Sequence, residues 1–249
     1  MFCSHTKNKK QDAISCSAVV VAAGSSLRFG SNKLFAMLSS APVLAYSLLT
    51  LQACDYINEI VVVTDTSGIT AAAELCEAYH IDKATKIVCG GETRVESALS
   101  GISEINPNAK LVAIHDGARP LVTKPLIERV IECAFKYKAA VPAVSTKDTV
   151  KIVSKGIVSE TPDRPKVYGI QTPQVFQPEI IKGALTNALQ NHLSVFDDAS
   201  AVEALGFPVY ITEGSEENIK ITTPLDLKLC EAILNMRKET GSASGSAAK

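Results

Sequence analysis

Runs of β-branched and apolar residues recur along this chain, separated by stretches with helical spacing, and that alternation limits its fold more than any other feature. Ser17–Ala23 (SAVVVAA), Glu59–Thr64 (EIVVVT), Lys110–His115 (KLVAIH) and Ala139–Val144 (AAVPAV) read as strands, followed by Val167–Gln171, Pro208–Thr212 and Ile219–Thr222. Between them Val43–Ala53, Ile69–His80, Arg94–Ile105, Lys124–Tyr137, Pro178–Gln190, Asp198–Leu205 and Pro224–Arg237 read as helices. A strand that is apolar at successive positions has no face to give to water, so both faces of its sheet must be covered. The expected fold class is therefore α/β, a Rossmann-like, mostly parallel sheet with helices on both faces. Thr123 before Lys124-Pro125, the pair Asp197-Asp198, and Thr223-Pro224 supply helix starts.

One segment breaks the pattern. Thr149–Glu160 (TVKIVSKGIVSE) has two short β-like stretches around Ser154-Lys155-Gly156, a hairpin signal where a strand–helix–strand unit would otherwise continue. Such an insertion finds little cover in its own domain, so it is expected to project as an arm, at about 146–166, toward another subunit. Neither an internal repeat nor a linker divides residues 17–240, which are expected to form a single domain. Residues 1–16, polar and lysine-rich, are expected to be a flexible N-terminal extension, and 241–249 a disordered low-complexity tail.

Formal net charge is −1, so a global electrostatic attraction to nucleic acid or anionic membrane is not expected, and basic groups must act locally. Seven cysteines are scattered without a CxxC pair and four histidines lack zinc-ligand spacing, which argues against a disulfide framework or structural zinc. With no apolar run of transmembrane length and no secretory h-region, a cytoplasmic protein with reduced thiols is expected.

The first strand runs into VVVAAGSSLRFGSNKLF, residues 19–35. In an open α/β sheet ligands bind beyond the carboxyl ends of the strands. Ala22, Ala23 and Gly24 let a ligand approach the backbone, the amides of Gly24-Ser25-Ser26 can form an anion nest, and Arg28 and Lys33 add two cations. The loop fits neither GxxxxGK[ST] nor GxGxxG, because Ser26 stands at the second glycine. Taken alone it is a phosphate loop or a plain turn with solvated cations.

Further motifs stand in order along the chain: IHDGARP (114–120), STKDTVK (145–151), IQTPQVF (170–176), FDDAS (196–200) and ENIKITTPLDL (217–227). With the first loop they resemble the 2-C-methyl-D-erythritol 4-phosphate cytidylyltransferase family over about residues 17–238, HDGARP and NIKITTP being the most specific parts. The resemblance implies a fold of the nucleotidyltransferase type and transfer of the cytidylyl group from CTP to the polyol phosphate, with pyrophosphate leaving. Such chemistry calls for cations and positioning more than for a base, since a phosphate monoester is already a nucleophile.

The resemblance also implies roles. Arg28 and Lys33 would be catalytic, stabilising charge on the α-phosphate and the leaving group. Ala22, Ala23, Gly24, Ser25, Gly90, Gly91, Glu92, Ser97 and Asp116 would bind CTP, the Gly90–Glu92 backbone reading cytosine. Asp116 would also hold Mg²⁺ or another divalent cation. Thr149, Arg164, Thr172 and Lys220 would bind the second substrate, Arg164 reaching across a homodimer formed through the hairpin arm. Arg119 is expected to brace its loop. Two departures stand out: Leu34 follows Lys33 where many members have Gln, and Phe196 opens FDDAS where a Thr is usual.

Two other readings stay open from sequence: a cytidylyltransferase for another polyol phosphate such as ribitol 5-phosphate, and a non-catalytic nucleotide-binding protein. Alanine before Arg119 speaks against the first, and the joint presence of Arg28, Lys33, Arg164 and Lys220 against the second. A dinucleotide-dependent oxidoreductase is disfavoured by the failed GxGxxG.

Overall fold

The computed structural model describes residues 14–23 and 33–246, with side chains through Glu239. Its strands are β1 (Cys16–Val21), β2 (Met37–Leu38), β3 (Ala41–Pro42), β4 (Ile57–Thr64), β5 (Ala84–Cys89), β6 (Leu111–Asp116), β7 (Ala139–Ser145), β8 (Ile152–Ser154), β9 (Ile157–Glu160), β10 (Tyr168–Ile170), β11 (Gln174–Phe176) and β12 (Tyr210–Glu213). Its helices are α1 (Val43–Gln52), α2 (Ile69–Ala78), α3 (Arg94–Ser103), α4 (Lys124–Tyr137), α5 (Pro178–Gln190), α6 (Asp198–Ala204) and α7 (Pro224–Ser246).

The main sheet has eight strands in the order β10-β7-β11-β6-β1-β4-β5, with β12 also paired to β7. β1 lies parallel between β4 and β6, and β5 adds parallel to β4. β10 and β11 run antiparallel to β7, and β11 also to β6. The sheet is therefore mostly parallel, as expected: β12 also runs parallel to β7, and only the short β10 and β11 run antiparallel to their neighbours. From β1 the chain builds outward through β4 and β5, then returns to place β6 on β1's other side. The order reverses between β1 and β6, and a ligand crevice is expected beyond their carboxyl ends.

Side-chain alternation along the strands feeds two cores. Ala18, Val20, Val62, Leu111 and Ala113 face one layer with Leu44 and Leu48 of α1, Leu75 of α2, Ile127 and Ile131 of α4 and Cys230 of α7. Val19, Val21, Val63, Val112 and Ile114 face the other with Ala98 and Ile102 of α3, Ile181 and Leu185 of α5 and Val202 of α6. The continuous apolar strands are thereby explained, since each alternate residue has its own helical layer. Gly101 of α3 lies so close to the sheet that a Cβ there would sit 2.3 Å from Val19 Cγ1.

Several boundaries differ from the sequence expectation. β1 starts at Cys16, and Ile14 already packs on the core. β5 and β11 were not anticipated: β5 carries exposed Thr85 and Lys86 as an edge strand, and β11 is three residues long. Ile219–Thr222 is not a strand. Ile221 N–H donates to Ala118 O at 2.8 Å, Ile219 N–H turns back to Glu217 O at 2.8 Å, and Thr222 N–H donates to the Asp226 carboxylate, so none of them joins a strand ladder. α7 continues past Arg237 to Ser246, because extending a helix costs far less than starting one.

The hairpin is present as β8 and β9, paired to each other and not to the main sheet. Lys155 (φ 51°) and Gly156 (φ 79°) both take positive φ at its tip, as a two-residue primed turn requires. Ile152, Val153, Ile157 and Val158 are all exposed, Ile157 at 74%.

Candidate active site

β1 and β6 end side by side, with Val21 paired to Asp116. The chain after β1 stays bound to the sheet for one more residue, Ala22 N–H donating to Val63 O at 2.7 Å. Opposite, Gly90 N–H donates to Thr64 O at 2.8 Å, so the turn after β5 comes back over β4. A Cβ at Gly90 would meet Ser97 Oγ at 2.5 Å and Ala23 Cβ at 3.1 Å. Glycine is what lets this turn touch the end of β1. Ala22, Ala23, Gly90 and Gly91 therefore share one rim, with Glu92 exposed beside them. Ser97 lies beneath, 2% exposed, its hydroxyl 3.5 Å from Gly91 O.

Asp116 forms the floor. It is 7% exposed, yet three cations surround it: Lys220 Nζ at 2.9 Å, Arg94 Nη2 at 3.6 Å and Arg119 Nε at 3.6 Å. Burial alone would raise its pKa, but Lys220, then Arg94 and Arg119 hold the carboxyl well below the usual range. It is a carboxylate at any working pH. Its backbone N–H donates to Thr172 Oγ1 at 3.1 Å, and that hydroxyl also meets His115 Nδ1 at 3.1 Å. Burial lowers the His115 pKa to about 4, so the ring is neutral.

Each cation is fixed differently. Arg94 is the first residue of α3, whose start is held by a capping box between Thr93 and Glu96. It grips Asp198 of α6 with two bonds, 2.8 and 2.7 Å. Asp198 is fully buried, and burial pushes its carboxyl up while Arg94 pulls it down. Asp197 caps α6 through Ser200 N and accepts from Gln174 Nε2 at 2.8 Å, tying that helix to β11. Arg119 donates to Asn218 O at 2.7 Å, and Asn218 in turn donates to Thr172 O at 3.0 Å. These bonds, with Ile221 N–H on Ala118 O, clamp the segment carrying Lys220 to the loop after β6.

Of the residues singled out from sequence, Asp116, Lys220 and Thr172 converge on this floor, and Ala22, Ala23, Gly90, Gly91, Glu92 and Ser97 form the rim. Lys33 is half-buried beside Leu34, whose carbonyl accepts from Leu44 N at 2.9 Å. Leu34 itself is buried in the α1-side core, which suits an apolar residue there. Gly24, Ser25 and Arg28 lie outside the described residues. Thr149 and Arg164 are exposed on the segments leading into and out of the hairpin, and take no part in the ion pairs around Asp116. Phe196 is 91% exposed at the start of α6. Arg119 braces its loop as expected. Sequence reading missed the Arg94–Asp198 pair. The signal was the second aspartate of FDDAS: one carboxylate suffices to cap a helix, and the other needed a cation.

Among the described residues there is no group of three or more His, Cys, Asp or Glu side chains able to cage a metal ion. A single buried carboxylate still suits Mg²⁺, which takes one or two protein carboxylates and completes its shell with water and substrate phosphates.

The chain is similar to known proteins over most of its length. The family model described as 2-C-methyl-D-erythritol 4-phosphate cytidylyltransferase matches residues 16–236. The protein of that name from Caldanaerobacter subterraneus subsp. tengcongensis is 44% identical over 222 residues, covering 88% of this chain and 98% of its own. Its namesake from Halalkalibacterium halodurans is 42% identical over 220 residues, covering 88% and 96%. The crystal structure of 4-diphosphocytidyl-2C-methyl-D-erythritol synthase from Anaerococcus prevotii superposes with a TM-score of 0.81 at 32% identity, over 92% of this chain and all of that one. Matched by the family model over residues 16–236 and by relatives at 42–44% identity over nearly their full length, with a cation-ringed aspartate where the strand order reverses, the chain belongs to the 2-C-methyl-D-erythritol 4-phosphate cytidylyltransferase family.

Proposed function

We infer that this protein is a nucleotidyltransferase that moves the cytidylyl group of CTP onto 2-C-methyl-D-erythritol 4-phosphate, a step of isoprenoid precursor synthesis by the non-mevalonate route. The observation that carries the reading is Asp116: a buried carboxylate under three cations, at the point where the strand order reverses. A phosphate oxygen of the acceptor attacks the α-phosphorus of CTP, a new P–O bond forms, and the bond to pyrophosphate breaks.

In this reading the backbone at Ala22, Ala23, Gly24 and Ser25 cradles the triphosphate. Arg28 and Lys33 offset the charge that grows on the α-phosphoryl oxygens and the leaving group. The Gly90–Glu92 backbone reads the cytosine edge, supported from below by Ser97. Thr149, Arg164, Thr172 and Lys220 hold the acceptor phosphate and hydroxyls. Asp116 would hold Mg²⁺, which when bound supplies Lewis-acid polarisation of the phosphate oxygens. The exposed apolar arm, with Ile157 and Val158 at its centre, embraces a second copy of the chain and carries Arg164 toward that copy's site. No described helix is long and apolar enough to cross a membrane, and a cytoplasmic location completes the proposal.

The test is pyrophosphate release from CTP and Mg²⁺ with methylerythritol 4-phosphate or ribitol 5-phosphate as acceptor. Release with the first alone is expected. Release with ribitol 5-phosphate alone would move the acceptor assignment, with Phe196 as the residue to examine. Calorimetric CTP binding without release from either acceptor would leave a nucleotide-binding protein.

A further inference from the structure

We propose that Lys220 is a placeholder for the divalent cation: with no nucleotide bound it neutralises Asp116, and it gives up that carboxylate when the metal–nucleotide complex binds. The inference rests on the reading of Asp116 as the metal-holding carboxylate. It comes from comparing the three cations. Arg94 is tied by two bonds to Asp198, and Arg119 is 9% exposed and tied to Asn218 O. Neither can move without stranding a buried partner. Among the described residues Lys220 is held by Asp116 alone, and its side chain is 40% exposed. It is also the nearest, on Oδ2 at 2.9 Å, an oxygen a metal would have to use or crowd. A flexible four-carbon stem with water at its tip is the one cation here that can leave at small cost.

Two consequences follow from this arrangement. The empty site need not bury an uncompensated carboxylate. Lys220 and the metal then compete for one ligand, so removing the ammonium must strengthen metal binding rather than weaken it. A lysine that only contacts the acceptor phosphate predicts no change in metal affinity when the acceptor is absent.

The experiment measures Mn²⁺ binding by water-proton relaxation enhancement. The protein is saturated with the α,β-methylene analogue of CTP, which cannot transfer, and no acceptor is added. K220Q is expected to bind Mn²⁺ roughly two- to fivefold tighter than the unsubstituted protein, the range of a part-exposed ion pair. K220R, which keeps the charge, is expected to stay near the unsubstituted protein. Equal or weaker Mn²⁺ binding by K220Q overturns the proposal while leaving the active-site reading intact. Absence of nucleotide-dependent Mn²⁺ uptake by the unsubstituted protein overturns both.

Discussion

Arg94→Met removes the guanidinium that ties α3 to Asp198 of α6, and the structure sets the size of the loss. Asp198 is fully buried and, among the described residues, has no other cation at bonding distance, so the substitution strands a carboxylate in the core. Breaking a buried pair from that side costs about 3–5 kcal/mol. Asp198→Asn strands Arg94 instead, but that side chain is 30% exposed and has Asp116 at 3.6 Å, so about half that cost is expected. The two substitutions should therefore be unequal, with Arg94→Met the worse. A pH dependence follows from burial, which already pushes the Asp198 carboxyl up. In Arg94→Met the folded-state pKa rises further above the unfolded value. Stability linked to such a group is present at pH below the unfolded pKa and lost as pH rises through the folded one. Hence the deficit should be largest near neutrality and shrink toward pH 4. Urea midpoints at pH 4.5 and 7.5, with the double substitution closing a cycle, read this directly. At about 2–4 °C per kcal/mol the thermal midpoint at neutral pH falls by roughly 6–20 °C. Equal small effects, or a deficit that grows as pH falls, would refute the reasoning.

Other expectations follow from the same geometry. Lys33→Ala should lower kcat far more than it weakens CTP binding, so near-normal turnover in steady-state assays would remove Lys33 from the chemistry. Arg164→Ala should mainly raise the KM for the polyol phosphate; an effect confined to CTP would mean the two phosphate sites are interchanged. Gly90→Ala places a Cβ against Ser97 Oγ and Ala23, so CTP affinity measured by calorimetry should fall about tenfold while the fold survives, because the clash is local. Ile157→Asp on the exposed arm should shift the protein from dimer to monomer in sedimentation equilibrium if the arm seats on a second copy.

The parallel half of the sheet and both helical layers were legible because β1, β4 and β6 are apolar at successive residues, a pattern that burial on two faces alone explains. The hairpin was legible because Lys155-Gly156 supplies the positive φ values its turn needs. What escaped was short or half-exposed. β11 has three residues and owes its place to pairing with β6 and β7, not to its own composition. β5 pairs with β4 along one side, and its exposed Thr85 and Lys86 leave only Ile87, Val88 and Cys89 as an apolar run, too short to announce a strand. The Ile219–Thr222 segment looks like a strand because apolar and polar residues alternate. That alternation instead serves a clamp, with Asn218 and Ile221 buried and Lys220 turned toward Asp116. Residue type announced Asp116 and Lys220, but their contact joins positions more than a hundred apart. Only closure of the fold reveals it.

Local charge accounts for what net charge hides. The chain as a whole carries −1, yet the floor of the site sets three cations against two carboxylates, Asp116 and Asp198. Asp198 does not weaken that surplus. Being fully buried, it spends its charge on Arg94 and fixes the guanidinium where it also faces Asp116. A surface patch of the same net charge would be screened within about 8–10 Å at physiological salt. Here the charges are fixed by Thr93, Asn218 and Gln174 at the ends of elements that cannot shift independently, so the field is aimed before any substrate arrives. A polyanion attacking a polyanion needs that: cations whose positions were settled during folding, as Arg94 and Arg119 are by Asp198 and Asn218.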